Sequence, residues 1–316
     1  MKITVLPKMI KYELILLVRS KWLLSFTVLF MLLASLLYFY GIQSLSTNPT
    51  EVTYGIDGVS NTIAKPGRGM DPSYFGLKPI EKDIANEDIQ AGYNRAIAML
   101  MNLALWILPI ICLILGVTSI VSDKENSRLA LYKTYQIPYT HYLISKFVAL
   151  AVSLTVSLGL SYGIGGLILA ITGHSFEANI YSMFIVLHLL VILVFTGASL
   201  VIGSLSSTRM QGLSFSFFFW SFVLFIYEFL IFSVIDLIPY AYKLKGLLAL
   251  ILVNPIESIR IWAISRLQAG YVFGPEYLIL QDGNTANHLT LYLVLSIFII
   301  LGLNILFSNQ IMKRKG

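Results

Sequence analysis

Few side chains in this 316-residue chain could do bond-making chemistry, and their spacing decides what they could do. The four histidines, His141, His174, His188 and His288, are too dispersed for an obvious metal site, and no His-Glu-x-x-His or Cys-x-x-Cys occurs. The pentapeptide GLSYG at 159–163 fits Gly-x-Ser-x-Gly with Ser161 as the nucleophile, but that motif needs a strand-turn-helix setting and here lies inside a long apolar run. It reads as a chance match. No Gly-x-x-x-x-Gly-Lys-Ser/Thr loop is present, so the chain cannot cradle ATP by that route. Met99 and Met101, two apart, point to different helix faces and suit core filling better than a soft-metal site. His188 reads as a packing residue, and Cys112, the single cysteine, excludes an internal disulfide. Catalysis by this chain is not expected.

The surroundings of these residues set the class. Hydrophobic residues make up 57% and charged residues 12%, with a mean hydropathy of +0.80. An ordinary soluble domain carries about 25% charged residues. The composition therefore predicts an integral membrane protein, all-α and in one domain, because only helices satisfy every backbone group of a lipid-facing single chain this apolar. Runs near the 20-residue spanning length predict six transmembrane helices at 23–42, 98–121, 147–172, 181–205, 213–237 and 289–307. A further run at 246–253 is too short to cross and reads as re-entrant or interfacial. Residues 1–22 mix Lys8, Lys11, Glu13, Arg19 and Lys21 with leucines and isoleucines, the pattern of an amphipathic elbow helix on the membrane surface.

Lysines and arginines flanking the spans set the orientation. Lys2, Lys8, Lys11, Arg19 and Lys21, then Lys124, Arg128, Lys133 and Lys146, then Arg209, and finally Lys313, Arg314 and Lys315 all fall on one side of a six-span chain, which places both termini in the cytosol. The formal charge of +6 is scattered at span ends and forms no aromatic-lined patch, so nucleic acid is not an expected partner. Two outer segments remain, 43–97 and 239–288, the first rich in glycine and proline before a short helix that leads into the second span.

The polar island at 122–146, SDKENSRLALYKTYQIPYTHYLISK, faces the cytosol in this topology. It carries Leu129, Leu131, Tyr132, Tyr135, Ile137, Tyr139 and Tyr142 where solvated residues are expected. One reading is a partner surface, with a short helix over 140–145, entered after Pro138, presenting Tyr139, His141 and Tyr142 to a groove. The other is an aromatic belt at the membrane interface. The Asp-Lys-Glu cluster at 123–125 favours the first, since a belt has no need of it.

Together with MIKYELILLVRSKW near the amino terminus, the island resembles the permease subunits of type-2 ABC exporters, the ABC-2 superfamily, and in particular the branch similar to NosY. Asp123, Lys124 and Glu125 match the family's charged cluster, Leu129 and Leu131 its leucines, Ile137-Pro138 its turn and Lys146 the lysine that opens the third span. NPIESIR at 254–260 is similar to the family's Asn-Pro segment after the fifth span. Ser127-Arg128, Gln136 and Tyr139 stand where the family usually has Gly-Thr, proline and arginine. The resemblance implies a homodimeric membrane subunit without a nucleotide site of its own, in the cytoplasmic membrane, with ATP and Mg bound by a separate ATPase subunit. It implies that Asp123, Glu125, Gln136, Ile137, Pro138, Tyr139, His141, Tyr142 and Lys146 form the coupling surface for that subunit. Membrane lipid and an extracytoplasmic accessory protein are the other expected partners, and export of an unspecified substrate is the expected function. An ATP-independent secondary transporter or channel is the alternative, and it would carry more ionisable residues at mid-membrane.

Glu228 is the one acid well inside a span, and such a residue points to function by default. It either lines the substrate pathway or pairs with Arg260, or it is a hydrogen-bonded packing acid. Gly159, Gly163, Gly165 and Gly166 in the third span, with Gly197, Ala198 and Ser199 in the fourth, predict close helix approach.

Overall fold

The computed structural model describes residues 5–19, 21–46, 54–55, 78–79, 84–171, 178–235, 237–239, 242–267 and 286–315. Within these the chain is helical except for a two-residue antiparallel pairing of β1 (Tyr54–Gly55) with β2 (Lys78–Pro79). Most of the 43–97 segment and the stretch 268–285 lie outside the described residues.

Helix α1 (Val5–Val18) meets α2 (Lys21–Ser46) at a 66° bend. Met9 and Glu13, one turn apart on α1, face the bundle, while Lys8 and Lys11 on the opposite side stay exposed. The second span belongs to α3 (Ile84–Glu125), a 42-residue helix that the predicted short outer helix joins without a break. Pro109 sits inside α3 without ending it. In hydrocarbon one lost ladder bond costs less than leaving the helix, which would orphan several backbone groups at once.

After α3 comes α4 (Arg128–Thr134), a seven-residue helix flanked by two non-glycine residues in the left-handed region, Ser127 at φ 56° and Gln136 at φ 51°. Glycine adopts that conformation without a Cβ penalty, so a glycine would suit position 127. Then follow α5 (Tyr139–Ile171), α6 (Ala178–Leu205), and a fifth span made of α7 (Arg209–Ser221), a π-helical turn (Phe222–Ile226) and α8 (Tyr227–Ile235). Helices α9 (Lys243–Val253), α10 (Pro255–Leu267) and α11 (Ala286–Lys315) complete the described chain. Five segments among the described residues, 101–125, 139–164, 182–205, 209–231 and 294–314, are long and apolar enough to cross a bilayer, and the bent pair α1–α2 brings the number to six when taken as one span. The result is an all-helical polytopic membrane protein.

The core lies where α3, α5 and α6 meet, around Leu105, Leu108, Leu113, Leu154, Leu187, Val191 and Phe195, and α10 adds Ile256 and Ile259 to it. The run at 246–253 is thus the latter part of α9, and the Asn-Pro that ends it starts a second helix packed into the core.

Of the small residues the sequence pointed to, Ser199 makes a close helix approach, whereas Gly159, Gly163 and Gly197 do not. A Cβ at Gly159 or Gly163 would meet nothing within 4 Å, and one at Gly197 would make only ordinary contact with Asn304. Tight positions include Gly116 on α3, which a Cβ would drive into Ser199 of α6, and Gly212 on α7, which it would bring to 2.5 Å from Val117 Cγ1. Glycine count along a span shows where close packing is affordable; only the neighbour's position shows where it occurs.

Candidate functional site

One end of the bundle gathers α1, the last turns of α11 and the polar island. Met9 of α1, Ile120 of α3, Tyr142 and Leu143 of α5, Leu200 of α6 and Met312 of α11 form a single buried cluster there. Beneath α4 lies a knot of charges. Lys146 Nζ donates to Glu13 Oε2 at 2.7 Å and to Ser119 Oγ at 3.0 Å, and lies 2.7 Å from Asp123 Oδ2. Tyr142 donates its hydroxyl to the same Asp123 Oδ2 at 3.0 Å, and Arg128 of α4 approaches Asp123 Oδ1 at 3.5 Å. Lys146, Glu13 and Asp123 are only 2%, 3% and 2% exposed. The three N–H groups of the ammonium thus each have an oxygen, the condition under which a buried charge is tolerated.

The Asp-Lys-Glu triplet does three different jobs because consecutive helical residues point about 100° apart. Asp123 faces α5 and α4. Lys124 turns to the end of α6, donating to the carbonyls of Gly203 (2.8 Å), Ser204 (2.8 Å) and Ser206 (2.7 Å), where a cation satisfies orphan carbonyls and the helix dipole together. Glu125 reaches the start of α7, accepting from Arg209 N at 3.0 Å and Arg209 Nε at 2.6 Å, beside the N-cap Thr208. Three successive side chains therefore tie the end of α3 to α5, α6 and α7. With Glu13 the tie extends to α1.

The sequence predicted an outward surface over 140–145, and this is corrected. Residues 139–146 are the first two turns of α5, and Tyr142 (1% exposed), Asp123 and Lys146 point into the protein. Their polar atoms find better partners across the helix interface than water could offer at that depth. The residues that project belong to α4 and its following turn: Leu131 is 56% and Tyr135 71% exposed, with Gln136 and Pro138 beside them. Ile137 and Tyr139 pack partly buried against the Tyr142 cluster, and His141 is half-buried. Tyr132 packs at a tilt against the Tyr142 ring, 5.4 Å between centroids; burial, then the charges of Glu13 and Asp123, push its phenol up to about 12, so it stays neutral at any physiological pH. Sequence reasoning missed Glu13 as a site residue. Its signal was its isolation, the one acid among the five cations of the elbow segment.

At the opposite end Arg260 and Glu257 of α10 are buried and 2.9 Å apart, and the structure brings Glu228 of α8 to 3.6 Å from the same guanidinium. Asn254, buried between α9 and α10, accepts from Ile256 N at 3.0 Å and donates to Val223 O at 2.8 Å. It is at once the N-cap before Pro255 and the partner of a carbonyl in the π-helical turn, where the helix's own ladder is irregular. Tyr227 donates to Leu250 O at 2.7 Å nearby.

The remaining candidates are structural. Ser161 is buried within α5 and donates to Ser157 O (2.8 Å) and Thr27 O (3.0 Å), stapling α5 to α2 in a helical rather than an elbow setting. His188 bonds Phe184 O through Nδ1 and packs against the Phe184 and Tyr162 rings. Among the described residues no three His, Cys, Asp or Glu side chains converge as a metal site.

The family model described as ABC-2 family transporter protein matches residues 8–311, nearly the whole chain, and the chain belongs to that family. No curated protein matches it significantly. Family membership makes it a membrane permease of the ABC transporter class and implies an ABC ATPase partner. The match is to the family as a whole and singles out no branch.

Proposed function

We propose that this chain couples ATP hydrolysis by a separate subunit to export of a substrate, and that α4 with the turn 135–138 is the element the ATPase grips. The observation that carries this reading is the contrast between tip and root. Leu131 and Tyr135 stand out from the protein, while the residues just beneath them are braced to α1, α5, α6 and α7. A displacement applied at α4 is thereby delivered to several spans together, as a rigid-body transition requires. In this reading the braced end is cytosolic, ATP and Mg are held by the partner, and two copies pair in the cytoplasmic membrane. The apolar faces that α7, α8 and α11 leave exposed are available to lipid and to that second copy.

The test is co-purification with an ABC ATPase subunit. Leu131→Asp and Tyr135→Asp should each weaken the complex by about 2 kcal/mol, roughly 30-fold, as loss of an interface anchor does. Melting of the isolated permease should not change, since both side chains are exposed. Full transport without any ATPase, or binding indifferent to both substitutions, would overturn the assignment.

We further place Glu228 and Arg260 on the substrate pathway. Glu257 still faces Arg260 when Glu228 is neutralised, and the Glu228 side chain is 39% exposed, so Glu228→Gln should cost well under ~1 kcal/mol of stability. Transport should nevertheless fall while expression and assembly stay normal. Unchanged transport by the Gln variant in proteoliposomes removes Glu228 from the pathway.

A further inference from the structure

A cavity of ≈ 230 Å³ opens between α1, the start of α2 and the end of α3, far larger than the ~10–15 Å³ that one water needs. Its lining is of two kinds. Leu16, Leu17, Trp22 and Leu115 are apolar, whereas Arg128 and Arg209 bring guanidinium groups to it. Its charged lining also includes Glu13, Asp123 and Lys146, so three cations face two acids.

What a ligand would meet is more positive than that count suggests. Both acid side chains are almost wholly buried, at 4% and 3%, and are engaged with Lys146, whose three N–H groups are all used. Both arginines are open, at 43% and 54%. Arg128 makes a single long contact to Asp123, and Arg209 spends Nε on Glu125, which is not part of the lining, and one terminal nitrogen on Ser122 Oγ at 3.3 Å. The donors left over are guanidinium N–H groups, whose planar fork matches phosphate oxygens.

Depth identifies the source of that phosphate. The cavity lies at the level where one span ends at Glu125 and others begin at Tyr139 and Arg209, which is headgroup level, and Trp22 is the kind of residue found there. We propose that this cavity seats the phosphate of an anionic phospholipid, with an acyl chain running along Leu16, Leu17 and Leu115. The proposal rests on membrane embedding alone and holds whether or not α4 binds an ATPase.

Native mass spectrometry of the full chain, released from neutral detergent after incubation with phosphatidylglycerol or phosphatidylcholine, tests it. Phosphatidylglycerol should be retained in preference, and Arg128→Gln with Arg209→Gln should reduce its retention roughly tenfold, the loss expected for charge-assisted phosphate contacts. Because that pair also touches the α3 and α7 braces, Leu16→Trp serves as a second variant: it fills the apolar part, leaves every charge in place and should reduce retention as well. Equal retention of both lipids, or retention unmoved by both variants, overturns the site. Displacement of the lipid by inorganic phosphate at millimolar concentration would likewise overturn it in favour of a soluble-anion pocket.

Discussion

Replacing Lys146 by methionine is expected to cost about 3–5 kcal/mol, the range for removing one partner from a buried ion pair. The methionine keeps most of the apolar stem but leaves Glu13 Oε2 and Asp123 Oδ2, both 2.7 Å from the lost ammonium, as two buried acids without their cation. Tyr142 can still donate to Asp123, and Arg128 stands only at 3.5 Å, so neither replaces what is lost. The measurement is thermal unfolding of the detergent-solubilised chain together with the fraction recovered as a single monodisperse peak. The reason for the loss is checked by Glu13→Gln with Asp123→Asn in the same background. Removing all three charges should recover most of the deficit, because a neutral, hydrogen-bonded replacement of a buried ion cluster is often nearly neutral in stability. A Lys146→Met chain that melts like the parent would show that the knot carries no stability.

Gly116→Ala is expected to be the most costly small substitution in the spans. The added Cβ would lie 2.5 Å from Ser199 Cβ and closer still to its hydroxyl, and a Cβ cannot move without its helix. Relief therefore requires α3 and α6 to separate along the core that includes Leu108, Leu113, Val191 and Phe195, a cost of typically 1–3 kcal/mol for overpacking. Two comparisons isolate the cause. Ser199→Gly in the Gly116→Ala background should restore much of the stability by returning the space. Gly159→Ala, with nothing within 4 Å, should be neutral or gain up to ~1 kcal/mol from helix propensity. If Gly116→Ala and Gly159→Ala melt alike, close packing at Gly116 is not what holds these helices together.

The same two positions show how far the sequence could be read. Six apolar runs near the spanning length were sufficient for the membrane class and the approximate spans, because a run of about 20 apolar residues has only one favourable solvent. Helix ends were less legible. The helix that carries the third span already begins at Tyr139, ahead of the apolar run at 147, and that of the fifth at Arg209, ahead of 213, because polar first turns can be helical when the neighbouring helix supplies partners. The π-helical turn had no local signal, since its irregular ladder is answered by Asn254, 31 residues away.

Hydropathy and charge placement alone, then, determined that this chain lives in a bilayer, with its spans bounded by cations, and that a polar island with apolar side chains sits between two of those spans. Tertiary structure decided which island residues look outward. Lys146 meets Glu13 across 133 positions of sequence and Glu125 meets Arg209 across 84, so the fate of each charge depends on how one helix is rotated against another. That rotation is set by packing between distant segments, and so Tyr142 turns inward to Asp123 while Tyr135, one loop earlier, is left facing out.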